Sequence, residues 1–247
     1  MGLKILTYNI HKGFGVANFR FILHQIRNAL ESVHTDLVFL QEIQGKHTKR
    51  EIRIADWPLK PQFEFLAENL WPYYIYGKNA LYKGGHHGNA ILSKFPFIEW
   101  ENITLSKYKR ASRSLLHGIL NVPRIRQKVH LLCIHFALFK TERQRQLILL
   151  KKRIVQSVPK DEALIVAGDF NDWRGQAEHV LEAELNLQEA FKVSQGCHAK
   201  TFPSWKPKLS VDRIYFRGLN LKTCQCLHDV PWRKLSDHVP LFAEFSL

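Results

Sequence analysis

Polar residues that could do chemistry follow two apolar segments of this sequence. The apolar run 163–167 leads into Gly168-Asp169-Phe170-Asn171, and the run 37–40 leads into Gln41-Glu42. Because strand ends of an α/β sheet deliver their side chains to a shared rim, these carboxylates and amides are expected to meet. Carboxylate oxygen is a preferred ligand of Mg²⁺, and a carboxylate can also accept a proton. The pattern therefore indicates a site for metal-assisted or acid–base chemistry.

Two further segments carry similar groups. The strand pattern 3–9 closes on Asn9, and Ser236-Asp237-His238 stands directly before the apolar run 239–245. A carboxylate bonded to a histidine fixes its tautomer and raises its basicity, and Asp212 is a candidate partner for His238. Each residue also has a plainer interpretation, since lone histidines are commonly structural and Gly, Asp and Asn are common in turns. The ordered set is therefore more informative than any single member.

Strand and helix patterns alternate along the chain and must position these residues. Helices are predicted over 19–30 (with Asn18 as N-cap), 63–70, 141–158 (with a capping box at 141–144) and 176–185. Strand patterns cover 3–9, 36–42, 73–76, 89–93, 98–105, 114–122, 129–136, 163–168, 211–216, 219–227 and 239–245, and the polar segment 44–62 is predicted to be a long loop. Because strands outnumber helices and many neighbouring strands are expected to be antiparallel, we predict an α/β (α+β) fold. Its two mixed β-sheets would pack face to face with helices outside.

The composition is that of one globular domain with a basic surface. The chain has 247 residues, 45% of them hydrophobic, and no Pro/Gly/Ser-rich linker, internal repeat or low-complexity segment. We therefore expect a single domain over residues 1–247. Its 36 Lys and Arg residues outnumber its 22 Asp and Glu residues, which gives a formal net charge of +14. This excess favours polyanionic partners, although a basic charge balance also serves solubility.

Targeting signals and cysteine spacing favour the cytoplasm. The N-terminal residues enter the strand pattern 3–9 without the apolar core of a signal peptide, and no run reaches the roughly 18 apolar residues of a membrane span. One residue separates Cys224 from Cys226, which does not fit a zinc knuckle. We therefore expect reduced cysteines in a cytoplasmic, monomeric protein.

Six motifs in this order resemble the endonuclease/exonuclease/phosphatase superfamily. Its members include deoxyribonucleases, abasic-site endonucleases, sphingomyelinases, inositol-polyphosphate phosphatases and deadenylases. The resemblance implies a four-layer sandwich and a hydrolase of phosphate esters that depends on Mg²⁺, with Mn²⁺ as an alternative. The motifs cover nearly the whole chain and comprise Asn9, Gln41-Glu42, Gly88-Asn89, Gly168–Asn171, Val211–Ile214 and Ser236–His238.

The resemblance also implies a metal site. It assigns the metal to Glu42, with Asn9 and Asp237 completing the site or holding its waters. Abasic-site endonucleases carry an Asp or Asn two residues after their first Asn, whereas this chain has His11 there. That departure argues against a second metal ligand at this position.

Catalytic and substrate-binding roles follow from the same resemblance. It implies that Asp169 orients or deprotonates the attacking water, that Asn171 donates to a phosphate oxygen, and that His135 touches the phosphate as an imidazolium. Asp212 and His238 would act as a pair, and the sequence leaves open whether Asp169 or His238 is the general base. Asn89 and Arg113 are candidate substrate contacts.

Nucleic acid is the substrate class that the sequence favours. Basic and aromatic residues interleave at 46–57, 107–113, 205–208 and 232–234, as in loops that grip phosphates and stack bases. The same segments would also suit an anionic membrane, with Trp57 or Trp232 at the interface, or plain solvated surface. The alternatives are thus a phospholipid or small-molecule phosphodiesterase or phosphatase, and a non-catalytic module that binds polyanions.

Overall fold

The computed structural model describes residues 2–16, 20–106, 112–123, 125 and 127–246. Two features of the sequence analysis, the N-cap at Asn18 and the basic residues 107–110, lie outside these ranges. Among the described residues, no helix combines the length and the apolarity that a membrane crossing requires.

The described residues form strands and helices, and between Tyr73 and His135 five strands follow one another without a helix. The strands are β1 (Gly2–Asn9), β2 (Leu37–His47), β3 (Tyr73–Tyr82), β4 (Gly85–Ser93), β5 (Phe97–Thr104), β6 (Ser114–Leu120), β7 (Val129–His135), β8 (Ala163–Asp169), β9 (Gln188–Glu189), β10 (Asp212–Arg217), β11 (Asn220–Cys226) and β12 (Leu241–Ser246). The α-helices are α1 (Leu23–Val33), α2 (Thr48–Arg53), α3 (Gln62–Ala67), α4 (Lys140–Ser157), α5 (Ala190–Gln195) and α6 (Trp232–Leu235). A 3-10 turn spans His11–Gly13, and a π-helical turn spans His179–Glu184.

The strands form two six-stranded sheets. The first sheet has the order β11-β12-β1-β2-β4-β3, and the second has the order β5-β6-β7-β8-β10-β9. β1 pairs with β2, and β7 pairs with β8, in parallel. The other pairs are antiparallel, so both sheets are mixed, as the sequence predicts.

Side-chain alternation along the central strands builds the layers. In β8, Ile165 and Ala167 face the core between the sheets, while Leu164 and Val166 face a second cluster that contains residues of α4. β1 behaves likewise, since Ile5 faces the inter-sheet core and its neighbour Leu6 packs in the cluster that contains α1 residues. Strands buried on both faces read as continuous apolar runs, which explains the run 163–167. The protein therefore has four layers, in the order helix, sheet, sheet and helix.

The segment 44–62 differs from its prediction as a long loop. β2 continues to His47, because residues 85–88 of the β3–β4 hairpin pair with its extension. α2 follows at once, and the Glu51 carboxylate accepts from the backbone N–H of His47 at 2.9 Å, which closes the start of the helix. A polar, basic strand and a one-turn helix have no apolar periodicity, so the pattern did not show them.

All four predicted helices differ from the structure in their bounds or type. The helix predicted over 63–70 is α3, Gln62–Ala67. The helix predicted over 19–30 is α1, Leu23–Val33. The prediction of a capping box at Thr141 was wrong. The helix α4 begins at Lys140 without a side-chain cap, and Glu142 pairs with Arg145. Residues 176–185 contain a π-helical turn in place of the predicted α-helix, because Leu185 bonds back to Val180.

Candidate active site

The parallel strands β1 and β2 deliver the first two site residues. They pair up to Asn9 and Gln41, and the ladder between β2 and β4 then shifts register between Leu40 and Ile43. Glu42 lies in this bulge with a left-handed φ of 55°. The Gln41 side chain stays buried and donates to Thr7 Oγ1 at 3.2 Å. Bulges commonly re-aim side chains at functional sites, and this one places Glu42 on the cleft described next.

One cleft of about 270 Å³ collects most of the predicted site residues. Its polar lining contains Asn9, Glu42, Arg113, His135, Asp169, Asn171, Asp237 and His238. These residues come from both sheets, since Glu42 lies in β2 and Asp169 ends β8. The predicted site residues therefore come together where the two sheets face each other.

Asp212, His238 and Asp169 form a buried chain. His238 Nδ1 donates to Asp212 Oδ2 at 2.8 Å, and the other ring nitrogen, Nε2, lies 3.8 Å from Asp169 Oδ2. Asp212 is 2% exposed and does not line the cleft, so it acts on His238 from behind. This is the pairing that the sequence analysis expects of a carboxylate and a histidine.

The opposite charges of these three residues shift the pKa values of His238 and Asp169. Burial alone would lower the pKa of His238, but the negative charges of Asp212 and Asp169 outweigh burial and raise it to about 10. Burial raises the pKa of Asp169 to about 7, against the positive charge of His238, which lowers it. His238 is therefore protonated at neutral pH, while Asp169 is partly ionised.

Asp169 is held by three further groups. Asn9 Nδ2 donates to Asp169 Oδ2 at 3.2 Å, and His135 Nε2 lies 3.3 Å from the same oxygen. The backbone N–H of Asn171 donates to Asp169 Oδ1 at 2.9 Å. One N–H of the Asn171 side chain is donated to Phe136 O at 2.9 Å, so its second N–H is the one available to a phosphate.

His135 differs from its expected charge state. We expected an imidazolium, but burial and the neighbouring Arg113 hold the pKa of His135 well below its usual range. The ring is neutral at neutral pH and can still donate one N–H. The positive charge in this part of the cleft comes from other residues.

Lys12 and Arg113 supply that charge beside Glu42. Lys12 Nζ donates to Glu42 Oε2, a contact that the sequence analysis missed. Burial disfavours ionisation of Glu42, yet the surrounding His135, Lys12 and Arg113 hold the pKa of its carboxyl well below its usual range. Because His135 is neutral at neutral pH, Lys12 and Arg113 provide the effective cations there. Glu42 is therefore ionised at neutral pH.

A strained turn positions Lys12. His11, Lys12 and Gly13 have consecutive left-handed φ values of 47°, 60° and 79°. Non-glycine residues adopt this conformation at a cost, and such turns persist when their surroundings hold them. Gln62, which is 1% exposed, holds this one: its Nε2 donates to Lys12 O and its Oε1 accepts from Gln44 N, both at 2.9 Å. Gln62 thereby connects the turn to the strand just after Glu42.

Asp237 and His11 form the remaining edge of the site. His11 Nδ1 lies 3.4 Å from Asp237 Oδ1. Ser236 fixes the adjoining backbone, because its Oγ donates to Asn9 O at 2.7 Å. His11, noted in the sequence only as a departure, is thus in contact with a predicted metal-site residue.

Asn89 lies behind the cleft and does not line it. The residue is fully buried on β4, and its Nδ2 donates to Ser114 O at 3.2 Å and to Cys133 O at 3.4 Å. These acceptors belong to β6 and β7, so the amide connects the two sheets. The substrate contact expected of Asn89 remains a prediction that this position does not support.

The donors around Glu42 fit a hard divalent cation. Glu42 is ionised, partly exposed in the cleft, and accompanied there by Asn9 and Asp237, which also offer oxygen. Asp169, Asp212 and His238 also bring potential ligand atoms within 4.8 Å of one another. His238 does not suit metal ligation, however, because it donates to Asp212 and carries a second proton at neutral pH. A metal at Glu42 would share the carboxylate with Lys12.

Another carboxylate–histidine group lies away from the cleft. It consists of Glu178, Glu182 and His198. Lys192 Nζ already bonds Glu178 at 3.1 Å and Glu182 at 2.7 Å, so this group is a network of ion pairs.

The cleft also has an apolar border that the sequence analysis did not predict. It is lined by Leu138, Trp173, Phe202, Leu209 and Val211. These residues follow β7 and β8 or precede β10 and are far apart in sequence, so no local pattern connects them. Of the tryptophans considered as interface residues, Trp232 is buried against Tyr8 and cannot contact a partner directly.

Comparison with known proteins agrees with the fold. The profile of the Endonuclease/Exonuclease/phosphatase family matches residues 6–238. The chain is 41% identical over 244 residues to the uncharacterized protein YbhP of Escherichia coli (strain K12), with 99% of this chain and 96% of that protein covered. Members of the family are hydrolases of phosphate esters that generally use divalent metals.

Solved structures share the fold at lower identity. TDP2 of D. rerio, complexed with a single-strand DNA product, has a TM-score of 0.74 and 19% identity over 100% of this chain and 99% of its own. The Bacteroides thetaiotaomicron mannosyl-6-phosphatase Bt3783 has a TM-score of 0.74 and 18% identity, with 99% and 100% covered. With the family profile spanning both halves of the cleft, this chain belongs to the endonuclease/exonuclease/phosphatase family.

Proposed function

We propose that this chain is a Mg²⁺-dependent phosphodiesterase in which Asp169 is the general base. The observation that carries the proposal is the buried chain from Asp212 through His238 to Asp169 at the floor of the cleft. A hydrolase needs a proton acceptor and a positive group that faces the developing negative charge. Asp169 and His238 supply this pair at neutral pH.

The pKa values support this division of roles. With its pKa raised to about 10, His238 is already protonated at neutral pH and cannot accept a proton from water. Asp169, whose pKa burial raises to about 7, can accept one and is a stronger base than an ordinary aspartate. The sequence left these two residues as alternatives.

The other cleft residues would hold the phosphate. The imidazolium of His238, the free N–H of Asn171 and the guanidinium of Arg113 all line the cleft and can donate to non-bridging oxygens. His135 and Asn9 fix the orientation of Asp169. A metal held by Glu42, with Asn9 and Asp237 nearby, would supply Lewis-acid polarisation of the phosphate.

Nucleic acid is the substrate class that we propose first. The formal charge of +14 supports it, as does the likeness to TDP2, whose structure contains a single-strand DNA product. A phospholipid is the second candidate, and one observation favours it: the apolar border of the cleft.

A substrate panel with Glu42→Gln tests the proposed function. Single-stranded, duplex and abasic DNA, RNA and anionic phospholipid are each offered with Mg²⁺ and with excess chelator. We expect at least one ester to be hydrolysed only with metal, and Glu42→Gln to reduce kcat/KM by at least ~10³ while the fold is kept, because the amide replaces the ionised carboxylate that would hold the metal. Glu99→Gln, on an exposed position of β5, is the matched control and should retain full activity. Full turnover in chelator would show that no metal is needed.

A further inference from the structure

Three loops around the cleft present exposed apolar side chains, each next to a cation. They read Leu138-Phe139-Lys140, Trp173-Arg174 and Trp205-Lys206-Pro207-Lys208-Leu209. Phe139 is 82% exposed, Leu138 62%, Trp205 61% and Trp173 43%. The four cations are exposed as well. We call these three loops the apolar rim.

The rim belongs to the mouth of the cleft. Leu138, Trp173 and Leu209 each line the cleft, and Phe139 and Trp205 lie in the same loops without lining it. Soluble proteins expose single apolar residues freely, but a group of large ones around a site marks an interaction surface. The hydrolysis proposed above gives no role to Phe139 and Trp205, which do not line the cleft.

Two of the loops are held together from beneath by Arg143, which is 6% exposed. Arg143 donates to Leu138 O at 2.9 Å and to Ala137 O at 3.3 Å. Its guanidinium also lies 5.5 Å from the ring centre of Trp173, a cation–π contact. The backbone of the first loop and the ring of Trp173 are therefore both anchored to one buried side chain.

The third loop is fixed to the catalytic segment. Backbone bonds between Phe202 and Leu209 close it at its base. Ser204, inside this loop, connects it to the catalytic segment. Its Oγ donates to Ser236 O at 2.6 Å, and its backbone N–H donates to Asp237 O at 2.7 Å. A rigid surface loses little conformational entropy when it binds, which suits a docking role.

We propose that the apolar rim docks on an anionic lipid bilayer and holds the cleft over the headgroup phosphates. Trp and Phe beside Lys and Arg is the combination that binds the membrane interface, where apolar side chains enter the acyl boundary and cations meet lipid phosphates. This inference rests on the proposed function for its substrate, a phosphate ester of the lipid headgroup.

The same surface fits single-stranded nucleic acid less well. Bases stack on aromatic rings, which Phe139, Trp173 and Trp205 could offer. Leu138 and Leu209 have no π face for a base to stack on, and a phosphate backbone does not remove their apolar surface from water. Both side chains would be stabilised by burial at the acyl boundary of a bilayer. The rim therefore fits a lipid surface, which belongs to the second candidate of the proposed function, better than it fits single-stranded nucleic acid.

Vesicle sedimentation tests the docking surface without any activity measurement. Vesicles of phosphatidylcholine alone are compared with vesicles that contain phosphatidylglycerol. We expect binding to the anionic vesicles, and a loss of about tenfold in partitioning for each of Phe139→Ser and Trp205→Ser, the scale for burying a large apolar side chain. Lys206→Gln should weaken binding about fivefold, as one interfacial charge does.

The matched control is Trp100→Ser. Trp100 is 53% exposed on β5 and does not line the cleft, so it resembles Trp205 in type and exposure but not in position. Partitioning of this variant should equal that of the wild type. Thermal melts check that every variant is folded, and the three separate rim variants keep the test informative if one of them is not.

The outcomes separate docking from catalysis. Asp212→Asn should bind anionic vesicles like the wild type, and vesicle binding by an enzyme that cleaves no phosphodiester would leave the docking surface standing without the proposed function. Cleavage of soluble bis(p-nitrophenyl) phosphate without vesicle binding would overturn the docking surface alone. Equal losses in Trp100→Ser and Trp205→Ser would overturn it too. A third result would also overturn the docking surface: no form of the protein binds vesicles, but the rim variants bind single-stranded DNA more weakly than the wild type. That result would assign the rim to nucleic acid.

Discussion

Two side chains in the cleft, His238 and Asp169, take different chemical roles because the pKa of each is raised. Asp212 raises the pKa of His238 from behind, and burial raises the pKa of Asp169 in front of it. The two groups thus exchange the roles that their ordinary pKa values would suggest: the histidine is the cation and the aspartate is the base. This arrangement depends on distances of 2.8 and 3.8 Å between atoms that are far apart in sequence.

A double-mutant cycle tests the pairing of Asp212 with His238. We expect His238→Ala and Asp212→Asn each to lower kcat by at least ~10², the scale of a general acid–base group. The double variant should lose much less than the product of the two losses, because the residues act as one unit. Steady-state kinetics on one substrate are sufficient. Losses that multiply would show that the two side chains act independently.

The pH profile tests which group is the base. Activity needs ionised Asp169 and protonated His238, so kcat/KM should rise through about pH 7, stay level, and fall near pH 10. Asp212 raises both pKa values, so Asp212→Asn should move both limbs to lower pH. A profile that rises near pH 4 would contradict a raised pKa at Asp169.

Strand ends and turns position these side chains, and here the sequence was informative only in part. Asn9 and Asp169, which end β1 and β8, were predictable, because an apolar run that stops at a polar residue is a local signal. The same signal indicated Glu42, although β2 continues past it to His47. Lys12 and Gln62 were not. Lys12 contacts a carboxylate 30 residues away, and Gln62 bonds to a backbone carbonyl 50 residues away, so neither leaves a trace in local spacing.

Replacing Gln62 tests whether the strained turn supports catalysis. Gln62→Leu leaves Lys12 O and Gln44 N without their buried partner, and we expect a loss of about 1–3 kcal/mol in the free energy of unfolding. It should also lower kcat/KM well below the melting temperature, because the turn and the bulge carry Lys12 and Glu42.

Trp71→Phe is the control for this substitution. It removes a buried bond from Trp71 Nε1 to Thr35 O at 3.1 Å, outside the cleft, and should destabilise the fold without changing kcat/KM. If both variants lose stability and neither loses activity, Gln62 has a structural role only.

Across the whole molecule, the architecture was predictable and the surface was not. Two mixed sheets with helices outside follow from the number of strands and the continuous apolar runs, and the structure confirms them. The apolar rim combines loops after β7, after β8 and before β10, which only the packed sheets bring together. Trp232, by contrast, belongs to the core and not to a surface that contacts partners.

Salt dependence tests the role of the molecule's net charge. If single-stranded nucleic acid is the substrate, each phosphate contact should contribute a slope of about −0.7 to a log–log plot of affinity against salt. Neutralising Lys107, Lys109 and Arg110 together should flatten the slope and raise KM with little change in kcat. These residues lie outside the described ranges, so this prediction comes from the sequence alone. An affinity that salt does not change would point to a small ester and a basic surface without a role in recognition.

The division of the site between two sheets has a consequence for the newly made protein. Asp169 and Asp212 lie on strands of the second sheet, whereas His238 directly precedes β12, which completes the first sheet by pairing with β1. β12 is translated after every other strand that the structure describes. A nascent chain on the ribosome therefore holds both aspartates without the histidine between them. On the proposed mechanism, hydrolysis of phosphate esters therefore cannot begin before His238 has been added to the chain and β12 has paired with β1.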